Sequence, residues 1–324
     1  MLFDCHNHLG VDLFFYLNGY YPYAQDVPAM VTEGRRHGID RWLVFPMLAN
    51  LWFDIGAMRA GKLEGGGLQE VPYAFENERM LRELFELFPD FGRLTIPFVI
   101  IDPQREPEKQ VAALRALRKQ FPFYGLKIQA TMIRADAGTL LTTGRCFLEY
   151  AAELDIPMLI HTSVAADDPW SNTDMLLRVA EATPGVRFCM AHSCRFDREY
   201  LDRVAALPNT WYDCSAHRIH CQGAERGLRF IAPPERRFKA DYRDPTAVLR
   251  AMADAYPHKL MWGSDSPFQS YVAKHEGTVV SLRSTYEEEA SCLHGLPEKA
   301  RALVGRENLL SFLKLKDESL FTRG

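Results

Sequence analysis

Short apolar runs of strand length recur along the chain, at residues 2–8, 41–47, 94–101, 124–129, 157–163, 187–194, 210–216 and 259–265. Several are almost continuously apolar, as parallel strands are when both of their faces are covered. Between them lie helical patterns at 28–37, 76–88, 106–121, 139–154, 172–182, 197–206 and 245–255. Asp197 stands ahead of Arg198 and Glu199, and Asp244 precedes Pro245, both of them helix-entry signals. After the last strand, a tail at 281–315 reads as helical. This alternation predicts an α/β fold, a (β/α)8 TIM barrel in a single domain over residues 1–324, with the tail packed on the barrel. A doubly wound open sheet competes with it, but no GxGxxG follows the first strand.

Two connections are too long for plain turns. Residues 48–75 follow the second strand and carry Trp52, Phe53 and the run Gly65-Gly66-Gly67. Residues 217–244 follow the seventh and carry His217, His220 and several arginines. Both leave the carboxyl ends of strands, where a barrel builds its active site, so they are expected to be lids or substrate walls.

Composition narrows the function. With 47% hydrophobic and 25% charged residues the chain can bury a large core, which excludes disorder as its dominant state. Lys and Arg number 38 against 42 Asp and Glu, a net charge of −4, and no long basic stripe suggests a nucleic-acid partner. No apolar run approaches the roughly 18 residues a membrane span needs. The start, Met-Leu-Phe-Asp-Cys-His, does not read as a signal peptide. Seven scattered cysteines without a CxxC pair fit reduced thiols and a cytoplasmic protein. Oligomeric state is not legible in any of this.

Candidate chemistry begins with Asp4-Cys5-His6-Asn7-His8, at the end of the first strand. Residues i and i+2 of a strand share a face, so both imidazoles enter one space, where they suit a divalent transition metal. His161 ends the fifth apolar run, His192 the sixth and Asp265 the eighth. One histidine so placed would usually be a hydrogen-bonded core residue. Four histidines and an aspartate at strand ends that converge on one barrel mouth point instead to a shared site.

In these motifs the chain resembles the amidohydrolase superfamily, and within it the amidohydrolase-related branch of metal-dependent hydrolases and decarboxylases. The likeness runs from Asp4-Cys5-His6-Asn7-His8 to Gly263-Ser264-Asp265-Ser266-Pro267-Phe268. It implies that His6, His8, His161 and Asp265 surround one divalent metal, most often zinc, with manganese and iron also open. It also implies that His192 stands beside the metal as a proton-transfer or substrate-polarising group.

The leading expectation is hydrolysis of a small molecule at an amide, lactone or related ester, with the metal lowering the pKa of water to about 7 and Asp265 accepting its proton. The alternative is non-oxidative decarboxylation of a small unsaturated or aromatic acid on the same site. Lys127, in Gly125-Leu126-Lys127-Ile128, corresponds to a lysine that is carboxylated in binuclear relatives. Here it is expected to stay unmodified in a mononuclear site and to bind substrate. Arg195, just past His192, suits a substrate carboxylate, as do Arg218, Arg226 and Arg229 of the seventh loop. His217 on that loop is a further candidate for substrate contact; like His220, it reads equally well as an ordinary loop residue.

Overall fold

The computed structural model describes residues 1–275 and 277–315. Eight parallel strands follow one another around the sheet in chain order: β1 Phe3–Val11, β2 Arg41–Pro46, β3 Thr95–Ile100, β4 Gly125–Ile128, β5 Met158–Ile160, β6 Phe188–Met190, β7 Thr210–Asp213 and β8 Leu260–Met261. Each falls inside one of the apolar runs, apart from the extension of β1 to Val11. The Cys5 amide donates to the Trp262 carbonyl and the Asp265 amide to the His6 carbonyl, each at 3.0 Å, so β8 meets β1 and the barrel closes. This is the TIM-barrel fold. At its rim, residues Ala24–Gln25 pair antiparallel with the end of β1.

The period of two along each strand divides the core. Trp42, Val44, Leu126, Ile128, Met158 and Ile160 point outward and pack with the helices. Leu43, Phe45, Phe98, Leu159, Cys189 and Met261 point inward and fill the barrel, floored by Leu309 and Phe312 of the last helix, Asn308–Leu313. Lys127 lies between the outward-facing Leu126 and Ile128, so it shares the interior side and is wholly buried. The helices begin where capping predicts: Asp197 accepts from the Glu199 and Tyr200 amides, and Asp244 from that of Ala247.

The tail differs from its sequence reading. Residues 281 and 282 end an antiparallel hairpin, β9 Tyr271–His275 and β10 Thr278–Leu282, and helix resumes only at Tyr286, where Thr285 and Glu288 form a capping box. The β-branched run Thr278-Val279-Val280 suits a strand better than a helix. The long segment after β7 is likewise not all loop, since it opens with the helix His217–Glu225. Residues 276 and 316–324 of the expected domain lie outside the described residues. No helix among the described residues is long and apolar enough to cross a membrane.

Candidate active site

β1 brings His6 and His8 to the inner face of the barrel mouth. The His6 Nδ1 lies 3.0 Å from Asp213 Oδ2, at the end of β7. Burial pushes the Asp213 carboxyl up, but the His6 ring, the Ser215 hydroxyl and the His192 amide outweigh it and hold the pKa well below the usual carboxylate range. An ionised Asp213 accepts from Nδ1, which turns the His6 Nε2 lone pair toward Lys127 Nζ, 3.3 Å away. Asp265 Oδ1 lies 3.3 Å from that same nitrogen and 3.1 Å from His8 Nε2.

His6 Nε2 and Asp265 Oδ1 are thus two acceptors facing each other, an arrangement that a cation resolves. Ligand atoms of His6, His8 and Asp265 all lie within 4.8 Å of one another, and all three residues are buried. Burial lowers the His8 pKa to about 4, so its imidazole is neutral near pH 7, as a metal ligand must be. Two imidazoles and a carboxylate suit a divalent first-row ion.

A second cluster adjoins the first. Residues His192–Phe196 form a left-handed turn in which all five have φ between 46° and 63°. The turn folds Arg195 back toward His192. His192 Nε2 lies 3.0 Å from His161 Nδ1, while Arg195 Nη2 and Nη1 lie 2.9 Å from His161 Nε2 and 2.6 Å from His220 Nε2. Arg195 is 8% exposed, and its guanidinium forms no ion pair with a carboxylate among the described residues. Burial lowers its pKa to about 10, so it remains charged near pH 7. Burial first, and the Arg195 charge second, push His161, His192 and His220 well below the ordinary imidazole value.

The expected residues therefore divide. His6, His8 and Asp265 come together, with Lys127 and His192 beside them, whereas His161 is engaged by Arg195 and His192 and stands outside the three-residue group. Burial lowers the Lys127 pKa to about 8, and its Nζ rests 4.4 Å from the centre of the Phe45 ring. His217 does not reach the cavity. Its Nε2 lies 2.8 Å from the Pro245 carbonyl, because the residues after Ala216 form a helix whose cavity face is Ile219 and His220. The arginines of that segment also turn away: Arg218 to Glu288, Arg226 to the Ser281 carbonyl and Arg229 to Asp167.

Both clusters open into a cavity of about 300 Å³ walled by Phe15, Tyr20, Phe45, Phe230, Phe268 and Tyr271. The segment after β7 forms one wall, as expected, whereas the segment after β2 contributes only Leu48. Residues 12–20, the hairpin, Phe268 and the carboxyl ends of β2 to β4 supply most of the rest. Sequence reasoning gave no site role to Asp213, Ser215 or Asp12. Asp213 carried a signal nonetheless, for it ends its strand as His161, His192 and Asp265 end theirs.

A closed parallel barrel with imidazoles and a carboxylate gathered at the carboxyl ends of its strands is the plan of a metal-dependent TIM-barrel enzyme. The chain belongs to the amidohydrolase family, whose model matches residues 3–312. Among solved structures it is similar to an uncharacterized TIM-barrel protein of Bordetella bronchiseptica (TM-score 0.56, 11% identity, covering 97% of this chain and 99% of that one). It is also similar to dihydroorotase from Campylobacter jejuni (TM-score 0.54, 17% identity, 98% and 84%). A third likeness is to amidohydrolase 2 from Bifidobacterium longum subsp. infantis (TM-score 0.54, 12% identity, 97% and 98%). No curated protein matches the chain in sequence. These structural likenesses bear on the fold. Family and geometry together define an amidohydrolase-superfamily enzyme whose His6–His8–Asp265 group can hold a metal ion.

Proposed function

We propose that the protein is a metal-dependent hydrolase of a small anionic molecule, opening an amide, a lactone or a related ester. The observation that supports this most is the pair of facing acceptors, His6 Nε2 and Asp265 Oδ1, 3.3 Å apart at the wall of a cavity that also holds His192 and Arg195. A divalent ion held by His6, His8 and Asp265, zinc first and manganese or iron next, would polarise a carbonyl and make water nucleophilic near neutral pH. Lys127 stays unmodified, and the site is mononuclear.

The chain's own groups supply the rest. Asp265 takes the proton of the attacking water and passes it to the leaving group. His192, whose Nδ1 donates to the Ser215 hydroxyl, offers its Nε2 lone pair to accept a proton at the reacting centre. Arg195 receives the substrate's carboxylate, because its buried guanidinium lines the cavity without a carboxylate partner among the described residues. The aromatic walls exclude water, which strengthens each of these contacts.

Reconstituted protein should hold one ion, and His6→Ala should lose it while keeping its fold. A panel of lactones and amides, with and without a carboxylate, should give turnover only with metal and favour the acids. Arg195→Gln should lower kcat/KM by roughly tenfold or more. A protein that binds no zinc, manganese or iron, or whose best substrate is neutral, refutes the proposal. A second reading, decarboxylation of a small unsaturated or aromatic acid, is favoured by the aromatic walls around the cations Lys127 and Arg195. Release of carbon dioxide in place of a new acid group would select it.

A further inference from the structure

Asp12 is a buried carboxyl at the cavity that the metal centre does not use. It follows β1, is 4% exposed and lines the cavity beside the helix it caps, Leu13–Asn18. Its Oδ1 accepts from the Phe15 amide at 2.8 Å, and the Phe14 amide also approaches the carboxylate. Capping does not require the charge, because asparagine caps a helix as well as aspartate does. The charge is costly where it stands: burial raises the Asp12 pKa to about 6, which still leaves it ionised near pH 7. Buried charges are ordinarily paired, yet no cation among the described residues pairs with Asp12. The two cations that line the cavity are engaged elsewhere, Lys127 with His6 and Arg195 with His161 and His220. Aromatic rings adjoin the carboxylate: the capped helix brings Phe14 and Phe15 to the cavity wall, with Tyr20 and Phe268 centred 5.6 and 5.4 Å from the Phe15 ring. A protonated amine suits such a place, since ring faces attract a cation while the carboxylate accepts its N–H bonds.

We infer that Asp12 binds a protonated amine of the substrate, so that the cavity takes a zwitterion with its ammonium on Asp12 and its carboxylate on Arg195. The two charges stand on different walls: Asp12 follows β1 and Arg195 follows β6, three strands away around the closed ring of eight. The amine and the acid therefore belong at opposite ends of an apolar body, which the aromatic walls enclose. The anionic end rests on the reading of Arg195 proposed above, whereas the cationic end rests on Asp12 alone.

The test is equilibrium binding to the metal-loaded protein at pH 7, by titration calorimetry, and it needs no turnover. The probes are straight-chain ω-amino acids of about four to eight carbons, each set against the alkanoate of the same length; at that pH their amines are protonated. At the best-fitting length the parent should bind the amino acid at least about tenfold more tightly than the alkanoate. Asp12→Asn and Asp12→Ser both keep a capping side chain without the charge, and each should bring the two affinities within about twofold of each other. Two such variants keep the comparison open where one does not fold. Arg195→Gln should weaken amino acid and alkanoate alike by about tenfold. An alkanoate bound as tightly as the amino acid at every length, or an amine preference that survives the loss of the Asp12 charge, overturns the amine site. Either result leaves the anion site on Arg195 standing. Acids that bind the parent and Arg195→Gln equally, or that do not bind the parent at all, overturn the anion site and the zwitterion together.

Discussion

Asp213 and His6 form a buried pair, Oδ2 to Nδ1 at 3.0 Å, in which the carboxylate fixes the tautomer of the ring and aims its other nitrogen at Asp265. Carboxylates that orient metal-binding imidazoles in this way typically contribute 10–100-fold to metal affinity. Asp213→Asn should therefore weaken metal binding by about that factor, measured by competition with a chromophoric chelator. The Asn variant keeps the shape but presents a neutral acceptor, so its far-ultraviolet circular dichroism should be unchanged. Parent-like affinity would remove Asp213 from the metal centre.

Gly263, two residues past β8, packs against β1. A Cβ at this position would lie 2.8 Å from the His6 Cβ, closer than real side chains approach, and a tight 3.2 Å from its backbone nitrogen. Gly263→Ala must displace His6, and ligand geometry tolerates only about half an ångström. Metal affinity should fall by on the order of tenfold. Gly185→Ala, where the added carbon meets nothing within 4 Å, is the matched control and should bind metal as the parent does.

The barrel and the strand-end residues were legible because each parallel strand is an apolar run whose first polar residue leaves at the mouth. His6, His8, Lys127 and Asp265 needed only that period and that order. His161 did not, because its neighbour Arg195 arrives through a turn of five positive-φ residues that nothing in His192-Ser193-Cys194-Arg195-Phe196 announces; none is glycine. The exchange of His217 for His220 has a similar origin. Ala216 adopts φ 55°, and the helix it starts decides which of two residues three apart meets the cavity. The hairpin lining the mouth was not legible, because its second strand carries no period-two pattern and its last two residues, Ser281 and Leu282, read as the start of a helical tail.

Buried neutral imidazoles make the metal-free protein sensitive to acid. His8 and His217 titrate at about 4, and burial holds His161, His192 and His220 well below their ordinary value too. Unfolded, all five would take up protons near pH 6.5. Between that value and about 4 the unfolded chain binds more protons, so the stability these residues contribute is complete above about pH 6.5 and drains away as pH falls. Carboxyls that burial raises work the other way, Glu289 to about 8, Asp12 to about 6, and Asp4, Glu76, Asp102 and Asp197 in the same direction, so their contribution is greatest at low pH. The imidazole contribution is therefore read as a difference. In the presence of a chelator, the Tm of the parent should fall further between about pH 7 and pH 4.5 than that of His217→Asn, which lacks one of the five titrations; equal profiles would mean that the His217 ring is protonated in the fold.

The left-handed turn stores strain that substitution can release. Ser193 has φ 51° and ψ 34°, a conformation that costs a non-glycine residue about 1–2 kcal/mol. Its surroundings hold it there: Arg195 Nε donates to the Thr162 carbonyl at 2.9 Å, and the Ala232 and Phe238 amides donate to the Arg195 and Phe196 carbonyls at 3.1 and 2.8 Å. The Ser193 hydroxyl contributes little, its nearest acceptor being the Asp213 carbonyl at 3.5 Å. Ser193→Gly removes the strain and gives back part of the gain to the greater freedom of the unfolded chain, about 0.5–1 kcal/mol. Chemical denaturation should therefore find Ser193→Gly more stable by roughly 0.5–1 kcal/mol. Ser193→Val, β-branched and poorly suited to positive φ, should be less stable by about 1–3 kcal/mol. The backbone anchors remain in both variants, so His192 and Arg195 keep their places and metal affinity should stay within about twofold of the parent. Should glycine destabilise and valine be neutral, the turn would not be left-handed in solution, and the meeting of Arg195 with His161 would lose its support.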